Sequence, residues 1–171
     1  MSVYGELSDD ERRLLLVSLE AAAVAISAAS PGRSEETASE GFAAASFVLE
    51  RRADYVDSRL ITSVIADIEA RVRTEQPFPD FVKVASASGA LEWAMQTLRS
   101  VVALLDARAT TEEAAGYKSW LMRLASTVAA AGKEDQGFLG RGGVQINDAE
   151  RAALQAVADV LGTSPDPRTP A

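Results

Sequence analysis

Residues 91–105 read LEWAMQTLRSVVALL, and the spacing of their apolar side chains decides the fold class. The apolar residues recur in steps of four and three, which is the period of an α-helix that buries one face. This stripe consists of Leu91, Met95, Leu98, Val102 and Leu105. No segment of the sequence shows the period-two alternation of a half-buried strand. The sequence therefore predicts an all-α protein.

Residues that can cap helices divide the rest of the chain. Ser8 and Glu11 form a capping box, in which each side chain accepts a hydrogen bond from the other residue's backbone amide. The helix that follows is expected to end at about residue 30, before Pro31 and Gly32. Later helices are predicted to begin at Ser34, at Asp54 or Asp57, between residues 81 and 90, at Thr110 and at Asn147.

Each predicted helix has one apolar face, so we expect the helices to share a core. The inward residues of the first helix are Leu15, Leu19, Ala22 and Ile26. Those of the third are Leu60, Ile61, Val64, Ile65, Ile68 and Val72. Those of the helix after Thr110 are Tyr117, Trp120, Leu121, Leu124 and Val128.

The length of 171 residues suits one domain with one core. We expect a single-domain bundle of about six helices over residues 1–162, followed by a loose tail over 163–171. An alanine-rich helix, a turn and an acidic helix start occur near residues 24–36 and again near 128–150. This internal repeat predicts two loosely pseudo-symmetric halves, at about 8–76 and 80–162, with a proline-rich break between them.

Composition excludes several classes of function. Lys and Arg number 17 against 25 Asp and Glu, so the net charge of −8 argues against nucleic acid and anionic membranes as partners. The chain has no cysteine and no histidine, which excludes thiolate nucleophiles, histidine triads and zinc–sulfur sites. The longest uncharged run, residues 21–32, is shorter than the roughly 18 residues of a membrane span. With no basic signal sequence at the N-terminus, a cytoplasmic location is expected.

Residues 132–150, GKEDQGFLGRGGVQINDAE, interrupt the helical pattern. Glu134, Asp135 and Glu150 are candidate ligands of a divalent cation such as calcium or magnesium, because loop and first-turn carboxylates can converge on a hard ion. Glu150 has a second explanation, since Asn147 and Glu150 also form a capping box. The loop glycines have two possible roles: their backbone amides could bind phosphate, or they could let the loop fold back so that Phe138 and Leu139 enter the core. Because the P-loop signature is missing, the sequence favours the second role. These glycines are Gly137, Gly140, Gly142 and Gly143.

Aromatic residues give a further candidate site. Trp93, Tyr117 and Trp120 could line a ligand pocket, but their helical spacing favours a place in the core. Lys118 is interpreted as a solvated neighbour of this group, and Tyr55 as a surface residue.

The unit around Ile146, Asn147 and Glu150 resembles the tellurite-resistance TerB-like helical proteins. It follows an alanine-rich helix and a loop of small residues, as that family's motif does. The resemblance implies a compact all-α domain with an acidic cluster that binds a divalent cation. The family's Asp-Gly is replaced here by Gly143 and Val144, so the two acids at 134 and 135 would have to take the place of the missing aspartate.

Together these observations predict a non-enzymatic, TerB-like binding or stress-associated module. The alternative is a structural or adaptor protein that acts through contacts of a helix face with a protein partner, or through self-association. An enzymatic function is the third hypothesis. Without histidine or cysteine, the catalytic groups would have to be carboxylates such as Glu150.

Overall fold

Helices account for most of the chain that the structure describes. The computed structural model describes residues 3–29, 44, 46–48, 52–75, 87–131 and 148–164. The α-helices with described bounds are α1 (Asp9–Ser27), α2 (Arg59–Arg73), α3 (Ala87–Arg108), α4 (Thr111–Ala131) and α5 (Asp148–Leu161). Short 3₁₀ turns occupy Val3–Glu6 and Arg52–Tyr55, and residues 44 and 46–48 are also helical. These ranges contain no β-strand, so the prediction of an all-α bundle is confirmed.

Side-chain caps begin α1 and α4 as the sequence predicts. The amide of Ser8 donates to Glu11 Oε2 at 2.7 Å, and the amide of Glu11 donates to Ser8 Oγ at 3.3 Å. Thr110 and Glu113 repeat this reciprocal arrangement, with distances of 3.3 and 3.2 Å. Each box satisfies two amides that have no partner within the helix.

The start of α2 differs from the prediction. Neither Asp54 nor Asp57 caps it: Ser58 is the cap, and its Oγ accepts a 3.4 Å hydrogen bond from the amide of Ile61. Asp54 lies instead in the preceding 3₁₀ turn. Both aspartates and Ser58 are good capping residues, so local preference alone did not decide among them.

The core is arranged around α1, which contacts each of the four other described helices. Most predicted inward residues are buried, including Leu15 and Ile26 on α1 and Leu60 and Ile65 on α2. Val72 is a correction, because 59% of its surface is exposed. It lies in the last turn of α2, beyond Ile68, the last buried residue of that helix. None of the described helices combines the length and hydrophobicity needed to cross a membrane.

The end of α5 turns the chain back on itself. Gly162 has φ +65°, a left-handed conformation that glycine adopts without steric cost. The amide of Thr163 donates to the Ala158 carbonyl at 3.0 Å, which closes a Schellman-type turn. The turn therefore ends α5 beside residue 162, the last residue of the predicted bundle, and brings residues 162–164 beside α4.

Candidate functional site

An open cleft runs along α4, where the ends of α3 and α5 meet it. Its volume is about 680 Å³, within the range of small-molecule sites. The lining comes from the last residues of α3 and the turn after it, from one face of α4, and from the turn after α5. The lining residues are Asp106, Ala109, Thr111, Ala114, Ala115, Lys118, Ser119, Met122, Arg123, Gly162, Thr163 and Ser164.

Small side chains on α4 create the concavity. Ala115 and Ser119 are exposed and lie one helical turn apart, so they are neighbours on the same face. Met122 is 2% exposed and forms an apolar part of the lining. The turn after α5 lies close to this face and lines the cleft with residues 162–164.

Lys118 is held at the edge of the cleft by an ion pair. Its Nζ lies 2.6 Å from Asp106 Oδ1 in the last turns of α3. The Lys118 side chain is 16% exposed and that of Asp106 is 59% exposed. The interpretation of Lys118 as a solvated neighbour is therefore wrong, because most of its side chain is covered and its ammonium group is paired with Asp106.

Arg123 is the second cation of the cleft, and it is partly buried. Among the residues that the structure describes, its guanidinium has neither an ion pair nor a hydrogen-bond partner. The backbone carbonyl of Arg123 accepts a hydrogen bond from Thr127 Oγ1 at 2.9 Å, a contact in which the guanidinium group takes no part. With Lys118 and Asp106, the described part of the lining carries two positive charges and one negative, a net of +1, whereas the whole chain carries −8.

Residues with hydroxyl groups also line this cleft. Thr163 Oγ1 is buried and has no hydrogen-bond partner within the described ranges. A buried hydroxyl without a partner costs roughly 1–3 kcal/mol. Ser119, Thr111 and Ser164 place further hydroxyls along the lining. The cleft thus offers donors from both charged and neutral groups.

The predicted cation ligands are only partly described. Glu150 lies in the first turn of α5, is 7% exposed and has an interaction partner. Glu134 and Asp135 fall outside the described residues, as do Phe138 and the glycines of the predicted plug. Within the described ranges, no three acidic side chains converge in a way that could hold a metal ion. The cation site at 134, 135 and 150 stays a prediction.

The aromatic residues belong to the core rather than to a ligand pocket. Tyr117 and Trp120 are completely buried, with ring centroids 5.4 Å apart, and Trp93 packs against the core from a partly buried position. The Tyr117 hydroxyl donates to the Leu15 carbonyl at 3.0 Å and lies 3.2 Å from Ser18 Oγ. Burial raises the pKa of the Tyr117 phenol.

Tyr55 is not the surface residue that the sequence suggested. It is partly buried, and its ring centroid lies 6.0 Å from that of Trp120. The Tyr55 hydroxyl and Trp120 Nε1 are both buried and have no hydrogen-bond partner in the described part of the chain. The 3₁₀ turn at Arg52–Tyr55, which the sequence did not predict, brings Tyr55 to the core.

Glu20 on α1 is a titratable residue that the sequence did not single out. Burial raises the pKa of its carboxyl group to about 7. Its Oε1 atom is buried and has no hydrogen-bond partner among the described residues. Helical periodicity did not indicate that Glu20 is partly buried, because position 20 lies beside the apolar face of α1 rather than within it.

Comparisons with protein-family models, with curated proteins and with solved structures found no match to this chain.

Proposed function

We propose that this protein is a non-catalytic binding module that holds a small polar ligand in the cleft along α4. One observation carries the proposal: Arg123 lines the cleft, is partly buried, and has no partner for its guanidinium in the described structure. The nitrogens of this guanidinium group are reached by solvent, so a ligand that bears acceptor atoms can accept hydrogen bonds from them.

The groups that line the cleft favour binding over catalysis. Asp106 is its one described carboxylate, and that group is engaged by Lys118 at 2.6 Å. The chain contains no histidine and no cysteine that could serve as a base or a nucleophile. What the lining does offer is hydrogen-bond donors, an apolar part at Met122 and enough volume for a compact molecule.

Amide NMR spectra recorded with mixtures of amino acids, sugars, nucleosides, organic phosphates and carboxylates test this function. We expect at least one class to shift the amides of α4 between Thr111 and Arg123 together with those of residues 162–164. Ala115→Trp should abolish these shifts by filling the cleft. Ala66→Trp is the matched control, because Ala66 is exposed on α2 and does not line the cleft. The proposal fails if no compound shifts these amides, or if Ala115→Trp leaves the shifts unchanged.

A second proposal, from the TerB resemblance, is that a stress-associated role depends on a divalent cation bound by Glu134, Asp135 and Glu150. The supporting observation is that Glu150 is 7% exposed in the first turn of α5. A carboxylate so little exposed needs compensation, which a capping hydrogen bond or a cation can provide. Thermal unfolding with and without calcium or magnesium tests this second site, as set out in the Discussion.

A further inference from the structure

We propose that the ligand of the α4 cleft carries an oxyanion, bound by Arg123 with help from Lys118, and that Asp106 competes with this oxyanion for Lys118. The inference rests on the proposed binding function and names the chemical class of its ligand. The oxyanion is the phosphate or the carboxylate of a small molecule, since each presents two oxygens that a guanidinium group can bind together.

The charge distribution supports an anion. The chain as a whole repels anions, with a net charge of −8. Lys118 and Arg123 lie on one helix and line one cleft, where Asp106 is the single described acid. A site that selects a cation would reverse this balance, because it needs an excess of carboxylate oxygens.

The chemistry of Arg123 narrows the class to planar or tetrahedral oxyanions. A guanidinium group presents a rigid fork of donors that matches two oxygens of a carboxylate or a phosphate. Ser119 lies one turn before Arg123 on the same helix and lines the same cleft. The exposed hydroxyl group of Ser119 can donate to a further oxygen of the ligand.

Asp106 is the built-in competitor in this site. Its carboxylate already takes up one donor of the Lys118 ammonium group, at 2.6 Å. The Asp106 side chain is 59% exposed, so its carboxylate can turn towards water when a ligand takes its place. Lys118 is 16% exposed and is less free to move away from the cleft edge. Removing the Asp106 charge should therefore strengthen oxyanion binding.

Titration calorimetry with phenyl phosphate and benzoate tests the ligand class, and benzyl alcohol serves as the neutral probe of similar shape. At least one of the two anions should bind to the wild-type protein. The anion with the higher affinity identifies phosphate or carboxylate as the preferred group. Arg123→Gln should weaken that binding by roughly tenfold or more, as expected for loss of a charge-assisted hydrogen bond. The affinity of the Arg123→Lys variant should lie between those of the wild type and of Arg123→Gln, since lysine keeps the positive charge but lacks the paired donors of the guanidinium group.

Two further variants make the test specific. Asp106→Asn should tighten binding by roughly two- to fivefold, the range expected when a partly exposed competing ion pair is removed. Arg151→Gln is the control for lost positive charge, because Arg151 lies on α5 and pairs with Asp148 outside the cleft. It should leave the affinity unchanged.

The outcomes separate this inference from the function on which it rests. If benzyl alcohol or another neutral compound binds in the cleft and neither anion does, the binding function stands and the oxyanion inference is wrong. If no compound binds, both are wrong. The inference is also wrong if Arg123→Gln and Arg151→Gln weaken anion binding equally, or if Asp106→Asn fails to tighten it.

Discussion

Lys118 Nζ lies 2.6 Å from Asp106 Oδ1, and this ion pair connects α3 to α4 at the edge of the cleft. Its two members differ in exposure, at 16% for Lys118 and 59% for Asp106. Water that reaches the carboxylate weakens the attraction between the charges, so the pair contributes little to stability. Its main consequence is to fix the position of the ammonium group.

Asp106→Asn should lower the free energy of unfolding by no more than about 1 kcal/mol, because the pair that it removes is partly exposed. Urea denaturation provides the measurement. Asp148→Asn is the matched control, since Asp148 pairs with Arg151 at the same 2.6 Å distance outside the cleft. A loss above about 2 kcal/mol for Asp106→Asn would identify the pair as a structural support of the bundle.

Two tyrosines next to the same tryptophan should respond in opposite ways to loss of their hydroxyl groups. Tyr117→Phe removes the 3.0 Å hydrogen bond to the Leu15 carbonyl and should cost about 0.5–1.5 kcal/mol. Tyr55→Phe removes a buried hydroxyl that has no described partner, so it should leave stability unchanged or raise it. Denaturation of both variants under one set of conditions makes the comparison. Equal destabilisation would show that the Tyr55 hydroxyl is hydrogen-bonded in solution.

Glu20 should make stability depend on pH near neutrality. Its ordinary pKa of 4.5 applies to the unfolded chain, and burial raises it to about 7 in the fold. Between these values the folded protein holds a proton that the unfolded chain has released, so stability falls as pH rises through this window. This loss of stability is absent below pH 4.5, and it reaches its full size above about pH 7.

Glu20→Gln should remove this part of the pH dependence and raise the free energy of unfolding above pH 7. The expected gain is roughly 1–2 kcal/mol, after allowance for solvent around a carboxyl that is only half-buried. Denaturation curves from pH 4.5 to pH 8 give the measurement. Glu92→Gln, at an exposed position on α3, is the control. A variant whose stability runs parallel to that of the wild type across this range would disprove the effect.

The cation proposal predicts that millimolar calcium or magnesium raises the melting temperature, because an ion that binds only the folded state stabilises it by mass action. Glu150→Gln should abolish the rise. Asp148→Asn should retain it, since Asp148 is an exposed acid in the same first turn of α5. The comparison is made within each variant, with and without the ion, so that any general destabilisation cancels. Equal shifts for the wild type and Glu150→Gln would exclude Glu150 as a ligand.

Local sequence signals predicted much of the fold. The apolar stripes placed Leu15, Leu98 and Trp120 in the core, and capping residues placed the starts of α1 and α4. Where several residues could satisfy the same local rule, as at the start of α2, tertiary contacts decided. Val72 satisfied the helical period but lies beyond the last buried residue of α2 and is exposed.

The cleft could not be predicted in the same way. It forms where the ends of α3 and α5 approach the middle of α4, and no period within one helix encodes that meeting. Lys118 and Asp106 are 12 residues apart, and each looks like an ordinary polar-face residue on its own helix. Gly162 gave a helix-end signal, but the sequence did not indicate that the following turn would lie against α4.

A crystal structure of the protein soaked with phenyl phosphate and benzoate is the most direct test of the α4 cleft as a binding site. We predict that at least one of these anions lies in the cleft, with its oxygens within hydrogen-bond distance of the Arg123 guanidinium and with Lys118 Nζ shared between the ligand and Asp106. Ligand density only at other surfaces, with Arg123 facing solvent, would contradict the proposed site.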